Sequence, residues 1–154
     1  MSLVSASLEE LRKTLARTAP RIQKLKTIAA LIRSSGNYRW VGLYEIDRQA
    51  GEVINLVWDG PGAPEYPRFP IGKGLTGAAI QERKVVNIGE VASDPRYLKA
   101  FGSTRSEIIV PILDADRAET VGTIDVESER AYAFDEETEK FLVSCADEVA
   151  SLWR

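Results

Sequence analysis

Two stretches in which apolar side chains recur at every second position, each doubling back through a short turn, constrain this chain most. In the first, residues 40–46 read as a strand (Trp40-Val41-Gly42-Leu43-Tyr44-Glu45-Ile46), Asp47-Arg48-Gln49-Ala50-Gly51 as a hairpin loop and residues 52–58 as the return strand. In the second, residues 107–113 and 120–127 are joined by the tight turn Asp114-Ala115-Asp116-Arg117. Hairpins set neighbouring strands antiparallel, so the sheet expected here is antiparallel. Helical spacing brackets it. Leu8, Leu11 and Leu15 recur after Ser7-Leu8-Glu9-Glu10, which has the form of a capping box. Pro20 then breaks the run and suits the first turn of a second helix. There Ile22, Leu25, Ile28, Ala29 and Ile32 share a face, and Ser34-Ser35-Gly36 ends it. Near the other end Asp135 is placed to cap a helix whose stripe is Phe141, Leu142, Cys145, Val149 and Leu152. The expected architecture is α+β, an antiparallel sheet with the N- and C-terminal helices on one face.

Between the hairpins lies Pro70-Ile71-Gly72-Lys73-Gly74-Leu75-Thr76-Gly77, whose glycines spell G-x-G-x-x-G. A dinucleotide site needs a buried strand running straight into such glycines. The residues before it carry Pro61, Pro64 and Pro67, which a central ladder strand does not tolerate. The turn is read instead as a sharp reversal that starts a helix at about Leu75. A short strand at residues 84–87 follows, then a long connection from 88 to 105 with a helical turn expected at Pro95-Arg96-Tyr97-Leu98. Connections of that length are usually functional or mobile.

The 154 residues fit one domain, 1–154, in which 1–20 form an N-terminal helical extension. A net charge of −3 gives no sign of nucleic-acid binding, and neither a membrane span nor a signal peptide is evident, which suggests the cytoplasm. Two scarcities narrow the chemistry. There is no histidine, which removes imidazole acid–base catalysis, Ser-His and Cys-His pairs and most zinc sites. The single cysteine, Cys145, excludes a two-thiol redox cycle within one chain, and its position on a helix stripe suits a core residue. No metal ligand set and no cofactor are expected.

The order and spacing of Trp40-Val41-Gly42-Leu43-Tyr44, the glycine stretch, Arg105-Ser106-Glu107-Ile108-Ile109-Val110-Pro111-Ile112, Val121 through Ser128 and Phe134-Asp135-Glu136 resemble those of GAF domains, relatives of the PAS fold. Within that family the chain is most similar to the free methionine-R-sulfoxide reductases. The resemblance implies a small-molecule pocket and, in the reductases, thiol chemistry. Their cysteine positions correspond here to Tyr66, Thr76 and, through a loop, Ala100, none of them cysteine. The resemblance also implies that carboxylates hold the substrate's ammonium group, and the matching residues are Glu107, Asp125 and Glu127. Asp125 and Glu127, two apart on a strand, face the same side. Such a pair is equally the pattern of an acid–base couple or a solvated strand face. Buried together they would require a cation, supplied by a ligand or by Arg105 or Arg68. Trp40, Tyr44 and Trp58 are candidate walls, with core packing as the alternative. Bilin-carrying and cyclic-nucleotide GAF signatures are absent.

The expected function is therefore a stand-alone sensor domain that binds a small amine-bearing metabolite, plausibly an amino acid, through Glu107, Asp125, Glu127, Trp40, Tyr44, Thr76 and Tyr66, without catalysis. Two alternatives stand beside it: a homodimeric signalling module acting on a partner protein, and an enzyme of unrecognised chemistry.

Overall fold

The protein is described here by a computed structural model covering residues 3–98, 102–116 and 118–153. Expectations placed on Ala100 and Arg117 lie outside the described residues.

The chain opens with helices α1 (Leu3–Ala16) and α2 (Arg21–Gly36). The helix begins well before Ser7, so the expected capping box lies inside α1; Val4 and Leu8 pack against the core and carry the helix upstream. Pro20 sits at the α2 boundary with φ −58°, an angle its ring imposes, and Asn37 closes the helix in the left-handed region. Leu25, Ile28, Ala29 and Ile32 are buried as expected, but Ile22 is 42% exposed and off the core face.

The first hairpin follows as β1 (Trp40–Asp47) and β2 (Glu52–Asp59), with a register shift between Leu43 and Tyr44. Strand β3 (Arg68–Pro70) and helix α3 (Gly74–Glu82) come next, then β4 (Val86–Ile88). A 3₁₀ turn at Val91–Ser93 replaces the helical turn expected at 95–98. There Asp94 takes the local hydrogen bonds instead, accepting from the Arg96 amide at 2.9 Å. The second hairpin is β5 (Ser106–Leu113) with β6 (Thr120–Ser128), followed by α4 (Glu136–Val149) and a 3₁₀ turn at Ala150–Trp153. Asp135 caps α4 by accepting from the Thr138 amide at 2.8 Å, and Glu136, Glu137 and Glu139 complement the positive end of its dipole. Among the described residues, no helix is long and apolar enough to cross a membrane.

The six strands form one antiparallel sheet in the order β3-β2-β1-β6-β5-β4. The two hairpins meet at its centre, where β1 pairs with β6. One face carries the main core. Leu43, Ile124, Val126, Ile108 and Val110 pack there against Leu25 and Ile28 of α2 and Phe141, Leu142 and Cys145 of α4, with Leu11 of α1 closing over them. The apolar stripes of these helices are thus turned inward, each buried side chain contributing about 1.5–3 kcal/mol. Because side chains alternate along a strand, every second residue of β1, β5 and β6 points to the other face. That face is covered by α3 and the loops around it, and the site lies there.

Candidate functional site

The glycine turn shapes one wall. Gly74 adopts φ +69°, a conformation that β-carbons disfavour, and a Cβ on Gly77 would come within 2.7 Å of the Gly72 backbone. These two glycines let α3 fold back over the turn. The strand entering it is a three-residue edge strand antiparallel to β2, so the dinucleotide motif finds none of its required context.

Strand β6 sends Ile124 and Val126 into the helical core and Asp125 and Glu127 to the opposite face. Glu107 of β5 lies directly across the ladder from Glu127. One oxygen from each of the three carboxylates lies within 4.8 Å of the others. Glu107 is 6% exposed, Asp125 7% and Glu127 1%. Like charges directly opposite on a sheet are destabilising, and burial adds to the cost, so this is a costly arrangement for purely structural residues. Asp125 Oδ1 and Glu127 Oε1 are buried without a hydrogen-bond partner.

The carboxylates form the floor of a cavity. The space open to the centre of a water-sized sphere is about 40 Å³, and the whole void with its mouth about 450 Å³. Trp40 and Tyr44 of β1 and Phe69 of β3 make an aromatic side, with the Trp40 and Tyr44 rings 6.4 Å apart and Tyr44 meeting Phe69 edge-on at 5.9 Å. The Trp40 indole N–H donates to the Gly62 carbonyl at 3.0 Å and so fixes the loop that brings Pro64 and Tyr66 to the mouth. Lys73, Gly74, Leu75 and Thr76 from the glycine turn, and Leu98 from the long connection, complete the lining.

Burial pushes all three acids up. The Glu107 carboxyl is held well above the usual range by burial and by the charges of Asp125 and Glu127, and it shares a hydrogen bond with Asp125. Burial raises Asp125 to about 6, against the favourable hydrogen bond from Glu107. Glu127 rises to about 8, first through burial and then through the Asp125 charge, while the Thr104 hydroxyl and the Arg39 guanidinium favour its ionised form. Tyr44 is also raised, by burial and by the three acids, and remains a phenol. Chemically, the cluster can accept protons, an ammonium group or a hard, oxygen-seeking cation.

All seven side chains singled out from the sequence, Trp40, Tyr44, Tyr66, Thr76, Glu107, Asp125 and Glu127, line this one cavity. Three other candidates do not reach it. Trp58 is 38% exposed and absent from the lining. Arg105 pairs with Glu90 at 2.7 Å and Arg68 with Glu52 at 3.5 Å, both with largely solvent-exposed side chains, so neither neutralises the cluster. Arg39, which sequence reasoning missed, lies near enough to act on Glu127 and also pairs with Glu129 at 3.3 Å. Phe69, Lys73, Pro64 and Leu98 were missed as well. Lys73 belongs to the glycine stretch and could have been found there; the other three carry no sequence signal of their own. Cys145 is fully buried in the helical core, its thiol pushed up to about 12, on the opposite face of the sheet from the cavity.

A GAF domain model matches residues 20–152, and the chain belongs to that family. It is 30% identical to GAF domain-containing protein A of Dictyostelium discoideum over 122 residues, 79% of this chain and 74% of that one. It is 32% identical to the free methionine-R-sulfoxide reductase of Saccharomyces cerevisiae over 109 residues, 70% of this chain and 58% of that one. Among solved structures, the free methionine-R-sulfoxide reductase of Neisseria meningitidis in complex with its substrate superposes with a TM-score of 0.88. The two share 27% identity, over 97% of this chain and 87% of that one. This chain is therefore a GAF domain related to the free methionine-R-sulfoxide reductases.

Proposed function

We propose that this GAF domain is a ligand-binding sensor that holds the ammonium group of a small amine-bearing metabolite, such as a free amino acid, between Glu107, Asp125 and Glu127. The observation that carries this reading is the cluster itself: three buried acids converging on a cavity, two of them with unpartnered oxygens. An ammonium group offers three N–H donors on one charge, one for an oxygen of each carboxyl group. The aromatic side formed by Trp40, Tyr44 and Phe69 suits an apolar or thioether side chain and the face of a cation. Relatives named as free methionine-R-sulfoxide reductases make a methionine-like ligand the first to try.

Binding proceeds without turnover on this reading. The corresponding thiol positions are Tyr66 and Thr76, which line the cavity and have no redox chemistry, and the lone thiol of Cys145 is walled off in the core. A thermal-shift screen of free amino acids and their sulfoxides tests the proposal, with sulfoxide reduction followed in parallel. A ligand at 100 times its Kd raises stability by about 2.7 kcal/mol, a shift of several degrees for a domain of this size. Stabilisation without product supports the reading, whereas a flat screen or a reduced sulfoxide refutes it.

A further inference from the structure

The charge balance of the cavity floor constrains how a cation enters it. Ionising three carboxylates whose oxygens lie within 4.8 Å of one another, on side chains only 1–7% exposed, is strongly unfavourable. The groups facing them do not offset three charges. Tyr44 of β1 is a neutral phenol, Tyr66 reaches the mouth from its loop, Lys73 lies exposed at the start of α3, and Thr104 offers a hydroxyl. Arg39 supplies one positive charge and divides it with Glu129.

Building on the amine-binding reading above, we propose that the site takes a primary ammonium ion in one-for-one exchange for a proton, and rejects the same cation once its nitrogen is fully methylated. Glu107 keeps its proton and donates to Asp125, which is already ionised. Glu127 is the group that exchanges: its O–H bond breaks, the proton leaves to solvent, and an N–H of the ammonium takes its place at the carboxylate. The bound state then has two negative charges, on Asp125 and Glu127, facing Arg39 and the ammonium. The values of about 6 for Asp125 and about 8 for Glu127 agree with that assignment. A quaternary ammonium has no N–H, so it would leave the buried oxygens of Asp125 and Glu127 unpaired. The cavity above these carboxylates, about 450 Å³ with its mouth, has room for a methylammonium-sized group.

The test is a carboxyl ¹³C NMR titration of the protein with pH, alone and with methylammonium, tetramethylammonium or magnesium at matched ionic strength. Methylammonium at ten times its Kd is expected to lower the apparent pKa of Glu127 by about one unit, since occupancy divides the proton affinity by about eleven. Tetramethylammonium is expected to leave it unmoved. A Glu127 titration indifferent to methylammonium overturns the exchange, as does an equal response to tetramethylammonium or displacement by magnesium at lower concentration. The outcome is separable from the ligand reading. If an amino acid stabilises the protein while Glu127 keeps its proton, the pocket stands and the exchange falls; if nothing binds, both fall.

Discussion

Replacing Glu127 with glutamine should make the empty protein more stable in alkali, by an amount that follows from its burial. The ordinary glutamate pKa of 4.5 rises to about 8 in the fold. Between those values the folded chain holds a proton that the unfolded chain has released, so stability falls as pH rises through this window. The contribution is fully present below about pH 4.5 and lost above about pH 8. At about 1.4 kcal/mol per pKa unit, the gap is worth roughly 4–5 kcal/mol as an upper limit. Only the last part of that window, from pH 6.5 to about 8, falls within an accessible range, about 2 kcal/mol at most. Relaxation around an ionised cluster reduces it, so a loss of about 1–2 kcal/mol between pH 6.5 and 9 is expected against a stability of about 5–15 kcal/mol. Glu127→Gln keeps a neutral group of nearly the same shape at every pH. Guanidinium denaturation at pH 6.5, 7.5, 8.5 and 9 should therefore show the wild-type midpoint falling steeply and the variant's falling much less. This account of a buried, protonated Glu127 is refuted if the wild type is flat across this range, or if the variant falls in parallel with it.

Three further perturbations probe parts of the fold separately. Gly77→Ala forces a methyl against the Gly72 backbone and should cost about 1–3 kcal/mol, read by denaturation, with loss of any ligand-induced thermal shift. Trp40→Phe removes the donor to the Gly62 carbonyl and should cost about 0.5–1.5 kcal/mol while increasing proteolytic cutting in the 60–67 loop. Cys145 should react with a thiol reagent only at the rate of global unfolding, and Cys145→Ser should cost about 1–3 kcal/mol by placing a hydroxyl in an apolar site.

Much of this molecule was legible in its sequence because strong periodicities carried it. The alternation in β5 and β6 separated Ile124 and Val126 from Asp125 and Glu127, and the two hairpins implied the antiparallel sheet. Glu107, Asp125, Glu127, Tyr66 and Thr76 followed from that alternation and the family resemblance, and Trp40 and Tyr44 from the suitability of aromatic walls. What escaped is what local pattern does not encode. Strand β3 is three residues that follow Pro67 and end in Pro70, held only as an edge against β2. Ser7 has a capping sequence, yet packing of Val4 continues the helix past it. Arg39 was passed over in favour of Arg105 and Arg68 because proximity to Glu127 depends on how β1 registers against β6. Trp58 and Ile22 fit their stripes on paper, yet they are 38% and 42% exposed, because spacing along the chain does not say which flank of a stripe the neighbouring elements cover.

The central claim is that this cavity recognises an ammonium group, and calorimetric titration with L-methionine and with its des-amino analogue, the same molecule lacking only the amine, tests it most directly. The account predicts saturable binding of methionine to the wild type, lost in Asp125→Asn, and at least tenfold weaker binding of the analogue. Equal binding of the two compounds, or full retention of methionine binding by Asp125→Asn, would contradict it.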